Sequence, residues 1–176
     1  MDVTDDMAAI WSQIDEGSKR KTIVMEGCQE KIIDSDNYFG RPVLGKIIAF
    51  PMRSITQFSY NKPWAVISIT DPDYQPPRIN ETNCVDILRL QFDDVELPRG
   101  SMVPISSEQA EKTWDFVASV WDQIDLLAIH CHAGISRSTA FAKAISEVYQ
   151  SEFADYFTQL YSPNALVYKV LMEHKS

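Results

Sequence analysis

From residue 45 onward, apolar and polar positions fall into blocks that predict strands and helices in turn. Residues 46–50, 65–70 and 126–129 are mostly apolar or β-branched, and residues 85–92 largely alternate apolar with polar side chains. Short runs of this kind, ended by proline or aspartate, are typical of strands. The sequence therefore predicts four strands in this part of the chain.

Three further stretches place apolar residues at helical spacing. The first begins at Ser106 and Gln109, which match a capping box, and the third begins after the Ser162-Pro163 pair. Ala110, Trp114, Val117, Trp121 and Ile124 form one apolar stripe in the first, Phe141, Ala144, Ile145 and Val148 continue the second, and Leu166, Val170 and Leu171 are expected to face inward in the third. Each stretch therefore predicts a helix with one face toward a core.

Strands that alternate with helices predict an α/β fold. We expect a central, mostly parallel sheet of four to five strands, flanked by helices on both faces. Ligands of such sheets bind at the carboxyl ends of the strands. Residues at these ends are Arg53, Asp71, Asp93 with Asp94, and His130 with Cys131. The predicted topology therefore brings them close together.

Residues 1–40 are less regular than the rest. Met7, Ile10, Trp11 and Ile14 have helical spacing, and residues 22–25 form a short apolar run. We interpret residues 1–40 as an N-terminal extension packed on the domain formed by residues 41–176. A flap over the functional site is the alternative.

Composition and charge narrow the classes of function. The chain has 176 residues, 45% of them hydrophobic, which suits one globular domain. Its net charge of −9 argues against nucleic acid or an anionic membrane as a partner. The acidic start lacks the features of a signal peptide, and no stretch approaches a membrane span. The three cysteines, Cys28, Cys84 and Cys131, have no metal-binding spacing, which favours a reduced, cytoplasmic protein. The oligomeric state stays open.

Residues 130–138 read HCHAGISRS, the most informative stretch of the chain. A cysteine is followed six positions later by an arginine, with a glycine between them and a hydroxyl residue directly after. Together with the histidine before the cysteine, this combination should arise by chance in roughly one in 10⁵ chains of this length. A short loop that leads into a helix can surround an oxyanion with backbone N–H groups, and such surroundings also stabilise a thiolate. The motif predicts a site that holds a tetrahedral anion against Cys131.

HCxxGxxRS resembles the signature of the cysteine-based protein tyrosine phosphatase superfamily. The sequence AGISRSTA, residues 133–140, is most similar to the dual-specificity branch and its small bacterial members. The resemblance implies that 41–176 is a catalytic domain, with Cys131 as the nucleophile and Arg137 as the phosphate clamp. Ser138 would help the sulfur leave, and His130 would fix the loop. The implied phosphate-binding loop comprises His132, Ala133, Gly134, Ile135, Ser136 and Arg137.

The same resemblance implies an aspartate that protonates the leaving group from a loop after an earlier strand. The sequence QFDDVELP offers Asp94 and Asp93 at that place. We prefer Asp94, keep Asp93 as the alternative acid, and regard Asp71 as a weaker candidate because it fits a turn before Pro72. This mechanism implies no metal and no cofactor.

Two further positions have open interpretations. His132 either projects outward or, if protonated, adds positive charge beside the thiolate. Cys84 could form a disulfide with Cys131, although the predicted topology places it at the opposite end of the sheet. Gly134 is expected to allow a tight loop that a side chain would strain.

The expected function is hydrolysis of a phosphomonoester through a phosphocysteine intermediate, on a phosphorylated protein or peptide, with phosphotyrosine as the first substrate to test. The alternatives are a catalytically weak phosphopeptide-binding module and a phosphatase for a non-protein monoester such as a phosphoinositide. The loop contains no lysine for the extra phosphates of an inositol head group. A rhodanese-like sulfur transferase fits the arginine, the following helix and the FDD sequence poorly.

Overall fold

The computed structural model describes residues 41–176 and two short strands before them, β1 (Arg20–Thr22) and β2 (Ile32–Asp34). The chain forms two compact units, Met1–Pro42 and Val43–Ser176. In the first unit, β1 and β2 pair in antiparallel orientation.

Most of what was predicted for the N-terminal extension lies outside the described residues. This holds for the helix through Met7 and Ile14, for the strand at 22–25 beyond Thr22, and for Cys28. The packing of residues 1–40 on the domain therefore stays a prediction.

The second unit is built on a four-stranded sheet. Its strands are β3 (Ile47–Pro51), β4 (Trp64–Thr70), β5 (Cys84–Gln91) and β6 (Leu126–Cys131). They are ordered β3-β6-β4-β5, and every neighbouring pair is parallel. The predicted strands and the predicted α/β class are confirmed, with four strands in this sheet.

Helices follow the strands and cover the sheet. They are α1 (Met52–Ile55), α2 (Ser107–Val120), α3 (Arg137–Tyr149), α4 (Ala154–Leu160) and α5 (Ala165–Glu173), with short 3₁₀ turns at Trp121–Gln123 and Ser151–Phe153. Among the described residues, none of these helices has the length and apolar character needed to cross a bilayer.

The core lies on both faces of the sheet. Every residue of β3, β4 and β6 is buried, which requires a covering layer on each side. The edge strand β5 is half-exposed, with Leu90 buried and Arg89 exposed. The three fully buried strands therefore form a rigid floor for the loops at their carboxyl ends.

The helix predictions are confirmed, except that two positions of the last helix are less buried than expected. The capping box of Ser106 and Gln109 is present at the start of α2. The predicted continuation of α3 through Val148 is confirmed, although this side chain is 43% exposed because the last turn of the helix is not fully covered. In α5, Val167 and Leu171 are buried, whereas Leu166 and Val170 are only partly covered. α5 begins after Pro163 as predicted, with Asn164 as its N-cap.

Candidate active site

The motif loop joins the central strand of the sheet to α3. Cys131 is the last residue of β6, and α3 begins at Arg137, so residues 132–136 form the loop between them. β6 lies between β3 and β4. The loop therefore sits at the carboxyl edge of the sheet, the usual ligand-binding edge of parallel sheets, with the N-terminus of α3 at its side.

The sulfur of Cys131 lies deep in this loop and has two polar neighbours. Its side chain is 1% exposed. The N–H of Gly134 donates to Sγ over 3.2 Å, and Oγ of Ser138 lies 3.2 Å from Sγ. As a thiol, Cys131 donates to this hydroxyl; as a thiolate, it would accept from it. Both contacts can therefore stabilise negative charge on the sulfur.

Gly134 fits the loop because no side chain has room there. Its φ is +69°, in the left-handed region, and a Cβ would lie 2.4 Å from both the carbonyl carbon of Phe50 and the nitrogen of Pro51. The N–H of Met52 donates to the carbonyl of His132 over 3.1 Å. The loop is thus pressed against the end of β3, as the predicted tight turn requires.

Arg137 is buried and fixed along one edge of its guanidinium group. The residue is 3% exposed, and Nη1 donates to Oδ1 of Asp71 over 2.6 Å and to the carbonyl of Phe92 over 2.7 Å. Nε is also buried and has no hydrogen-bond partner among the described residues. A buried donor without a partner is costly. The arrangement leaves a charged donor for an anionic ligand.

Asp71 was a weak candidate for the proton donor, and the structure gives it another contact. It follows β4, and its carboxylate forms an ion pair with Arg137. The sequence offered the turn before Pro72 but no sign of this pairing. The only signal was its place at the carboxyl end of a predicted strand.

The two aspartates of the FDD sequence have different surroundings. Asp93 closes the base of its own loop, since its N–H donates to the carbonyl of Val103 and its Oδ2 accepts from the N–H of Val103, each over 2.6 Å. Asp94 is exposed and reaches the motif loop, where its Oδ1 accepts from Ser136 Oγ over 2.8 Å and from Asn164 Nδ2 over 2.7 Å. Of the two, Asp94 is therefore the carboxyl group in contact with the loop that carries Cys131.

His130 is completely buried behind the loop. Its Nε2 lies 2.7 Å from Oγ of Ser68 on β4. Burial lowers the pKa of His130 from 6.5 to about 4, and the positive charges of Arg89 and Arg137 act in the same direction. The imidazole is thus neutral at neutral pH and joins β6 to β4, which suits a fixed support better than a proton carrier.

No protein-family model matches this sequence, and the curated proteins also give no match. Solved structures do match in three dimensions. A human tyrosine phosphatase-like serine/threonine/tyrosine-interacting protein superposes with a TM-score of 0.54 at 21% identity, covering 76% of this chain and 93% of that one. A mouse putative dual-specificity phosphatase, solved with zinc tungstate, gives 0.55 at 17% identity over 77% and 85%. Human DUSP28 gives 0.55 at 14% identity over 77% and 94%.

This chain has the fold of the dual-specificity phosphatases. The resemblance carried by the HCxxGxxRS motif is thereby confirmed at the level of the fold. The chain spans most of the length of each of these neighbours, with identities of 14% to 21%.

An aromatic pair lies at the exposed side of this dual-specificity phosphatase fold. His132 is exposed, as the outward interpretation expected, and the ring of Tyr74 meets it edge to face with centroids 5.9 Å apart. Tyr74 is 50% exposed, and its loop is fixed because Gln91 Nε2 donates to its carbonyl over 3.0 Å. Tyr74 was not predicted from the sequence, although it lies only a few residues beyond the predicted strand end at 70.

The remaining predicted residues do not join the site. Arg53 lies exposed in α1. Cys84 and Cys131 are both free cysteines at opposite edges of the sheet, since one begins β5 and the other ends the parallel β6. Burial raises the pKa of Cys84 to about 11, which leaves its thiol protonated and poorly reactive. Within the described part of the chain, no three His, Cys, Asp or Glu side chains cluster as metal ligands.

Proposed function

We propose that this protein is a phosphomonoester hydrolase that acts through a phosphocysteine intermediate, with Cys131 as the nucleophile. The observation that carries the proposal is the presence of two buried groups at the two ends of one loop. Cys131 has two donors around its sulfur, and Arg137 is fixed by Nη1 while its buried Nε has no partner among the described residues. A phosphate dianion is the ligand that satisfies both features.

In the first step, Sγ of Cys131 attacks phosphorus in line, and the bond from phosphorus to the leaving oxygen breaks. Arg137 and the backbone N–H groups of the loop and of the first turn of α3 hold the equatorial oxygens, whose charge grows in the transition state. Asp94, protonated at this stage, gives its proton to the leaving oxygen. The products are an alcohol or phenol and the phosphocysteine.

In the second step, water attacks the phosphocysteine. The carboxylate of Asp94 now accepts a proton from this water, and the bond between sulfur and phosphorus breaks. The electron pair stays on sulfur as a thiolate, and the hydroxyl of Ser138, 3.2 Å away, donates to it. Inorganic phosphate leaves, and Cys131 and Asp94 return to their initial states.

We propose a phosphorylated protein or peptide as the substrate, with phosphotyrosine first. The exposed pair of Tyr74 and His132 offers aromatic surface beside the loop, where an aryl ester can pack. The loop has no lysine for additional phosphate groups. A thiolate nucleophile also needs a reducing compartment, so the cytoplasm is the proposed location.

A phosphopeptide-binding module is the second candidate. One human protein of this fold is named a tyrosine phosphatase-like serine/threonine/tyrosine-interacting protein. Binding alone would use Arg137 and the loop but would need no proton donor. The contact of Asp94 with the motif loop favours catalysis.

Hydrolysis of para-nitrophenyl phosphate from pH about 4.5 to about 8 tests the proposal, in reducing buffer with EDTA. We expect turnover by the wild type, no turnover by Cys131→Ser, and a loss of about 10²- to 10⁴-fold in Asp94→Ala. Asp93→Ala is the neighbouring control and should lose stability more than activity. A folded wild type that binds vanadate or a phosphopeptide without turnover would favour the binding module.

A further inference from the structure

Asn164 precedes α5 and makes more contacts than a helix cap needs. It is 1% exposed, and its Oδ1 accepts from the N–H of Val167 over 3.0 Å, which is the capping bond. Its Nδ2 donates to Asp94 Oδ1 over 2.7 Å and to the carbonyl of Val95 over 3.3 Å. Its own N–H donates to the carbonyl of Ser136 over 3.1 Å. The side chain of this one buried residue thus connects α5 with the loop of Asp94, and its backbone N–H connects both with the motif loop.

We propose that Asn164 is a positioning residue that holds the carboxyl group of Asp94 for proton transfer, an inference that rests on the proposed function. Asp94 is exposed on a loop, where an unsupported carboxyl group would sample many orientations. Asn164 and Ser136 both donate to the same oxygen, Oδ1. Among the described residues, Oδ2 accepts no hydrogen bond, so Oδ2 is the oxygen that carries and transfers the proton.

The chemistry of the amide suits this position. An amide N–H₂ group donates to Oδ1 whether Asp94 is protonated or ionised, so the contact persists through both steps of the reaction. The amide does not itself take up or release a proton near neutral pH. A second acid or a histidine in its place would compete for the proton that Asp94 has to transfer.

The loop of Asp94 is tied to α5 at further points. The carbonyl of Val95 accepts from Asn164, and Oε1 of Glu96 accepts from the N–H of Ala165 over 3.2 Å. These contacts join parts of the chain about 70 residues apart. The start of α5 therefore sets where the loop of Asp94 lies relative to Cys131.

Asn164→Ser separates positioning from capping. Serine is a good N-cap residue, so the bond to Val167 can be retained, whereas its shorter side chain cannot reach Asp94. Ser106→Ala is the matched control, because it removes the N-cap of α2 and touches nothing in the site. Both variants should unfold cooperatively, with the larger fall in Tm for Ser106→Ala.

The test compares kcat/KM for phenyl phosphate and para-nitrophenyl phosphate. A poor leaving group needs the proton more than a good one does. We expect Asn164→Ser to lower kcat/KM about tenfold for phenyl phosphate and less than about threefold for para-nitrophenyl phosphate. Ser106→Ala should leave both values unchanged. Equal losses on the two substrates would overturn the positioning role.

A double-mutant comparison completes the test. If Asn164 acts through Asp94, then Asn164→Ser should cost nothing further in the Asp94→Asn background, a ratio of about one. A tenfold loss that persists there would assign Asn164 to the motif loop or to the fold. A wild type inert on both substrates would overturn the proposed function and this role with it. An active wild type with an inert Cys131→Ser keeps the two questions separate.

Discussion

Among the described helices, α2 and α3 have a serine as the N-cap residue, and these two serines form different hydrogen bonds. At the start of α2, Ser106 Oγ accepts from the N–H of Gln109 over 3.2 Å, and Gln109 Oε1 accepts from the N–H of Ser106 over 3.0 Å. At the start of α3, Ser136 makes no capping bond. Its hydroxyl donates instead to Asp94, 42 residues away in sequence.

This difference distinguishes a helix start that only stabilises the fold from a helix start that belongs to the proposed site. The start of α2 satisfies its backbone donors with its own side chains, as an isolated sequence can arrange. At the start of α3, the hydroxyl of Ser136 donates to the carboxylate of Asp94 instead. The backbone N–H groups of the first turn therefore receive no bond from this side chain and can bind a ligand. A local rule is broken where the proposed chemistry occurs, which is common at functional sites.

The loops before the two helices give the largest expected contrast. Gly100 and Gly134 both have positive φ, +56° and +69°. A Cβ at Gly134 would overlap the backbone of β3, whereas nothing lies within 4 Å of one at Gly100. We expect Gly134→Ala to abolish turnover and to cost about 3 kcal/mol of stability. Gly100→Ala should cost about 1 kcal/mol and leave turnover intact. Urea unfolding and turnover of para-nitrophenyl phosphate measure both, and equal costs would contradict the contrast.

A fall in pH should lower the stability of the protein more through His130, which precedes the motif loop and α3, than through the charged residues at the start of α2. The folded-state pKa of His130 is about 4 against 6.5 when unfolded, so the unfolded chain binds the proton first as pH falls. The stability linked to neutral His130 is complete above pH 6.5 and is lost toward pH 4, by about 3 kcal/mol. Urea unfolding at several pH values should show a shallower decline for His130→Gln than for the wild type.

The exposed start of α2 supplies the control for this pH experiment. Bonding to Lys112 lowers the pKa of Glu108, but both side chains are in solvent. Glu108→Gln should therefore change the pH dependence of unfolding much less than His130→Gln does. A larger effect of Glu108→Gln would mean that exposed charges, and not His130, dominate the pH dependence of unfolding.

The next largest effect on activity is expected from replacing Asp71, which contacts Arg137 at the start of α3. Asp71 holds Nη1 of Arg137 at the first position of the helix. Without it, the guanidinium group can turn, and a hydrogen bond to a charged group is lost. We expect Asp71→Ala to lower kcat/KM about 10- to 100-fold, with partial recovery in Asp71→Asn, which keeps the acceptor. Steady-state kinetics and vanadate inhibition measure this effect. Unchanged vanadate affinity would show that Arg137 needs no partner.

The smallest expected effects come from the two serines themselves. Ser106→Ala should cost about 1 kcal/mol of stability without loss of activity, since only a cap is removed. Ser136→Ala should change stability by less than about 0.5 kcal/mol and lower turnover of phenyl phosphate, because Asp94 loses one of two donors. Thermal unfolding and steady-state kinetics, measured on the same samples, test the expected changes in stability and in turnover. A reversed pattern would remove the distinction between the two helix starts.

Much of the fold could be predicted because its signals are local. The runs at 46–50, 65–70 and 126–129 are mostly apolar, as is typical of strands buried on both faces, and each corresponds to a strand. The capping box at Ser106 and Gln109 likewise marked the start of α2. The helical spacing through Val148 also indicated the extent of α3, which ends at Tyr149.

Part of the candidate site could also be predicted, because one short loop carries it. The spacing of Cys131, Gly134 and Arg137 was visible as a motif, and all three lie at the carboxyl edge of the sheet. The contacts of Asp71, Asn164 and Tyr74 were not visible. Each depends on residues from other strand ends or helix starts, and a single sequence does not show such pairs.

The sequence by itself determined the order of strands and helices and the loop that presents Cys131 and Arg137, because spacing and short apolar runs act over a few residues. Only the tertiary structure decided between Asp93 and Asp94 as the carboxyl group next to the motif loop, paired Asp71 with Arg137, and placed Asn164 against Asp94. These contacts span 66 and 70 residues for the last two pairs. They exist because parallel strands end at one edge, where loops distant in sequence meet and share hydrogen bonds.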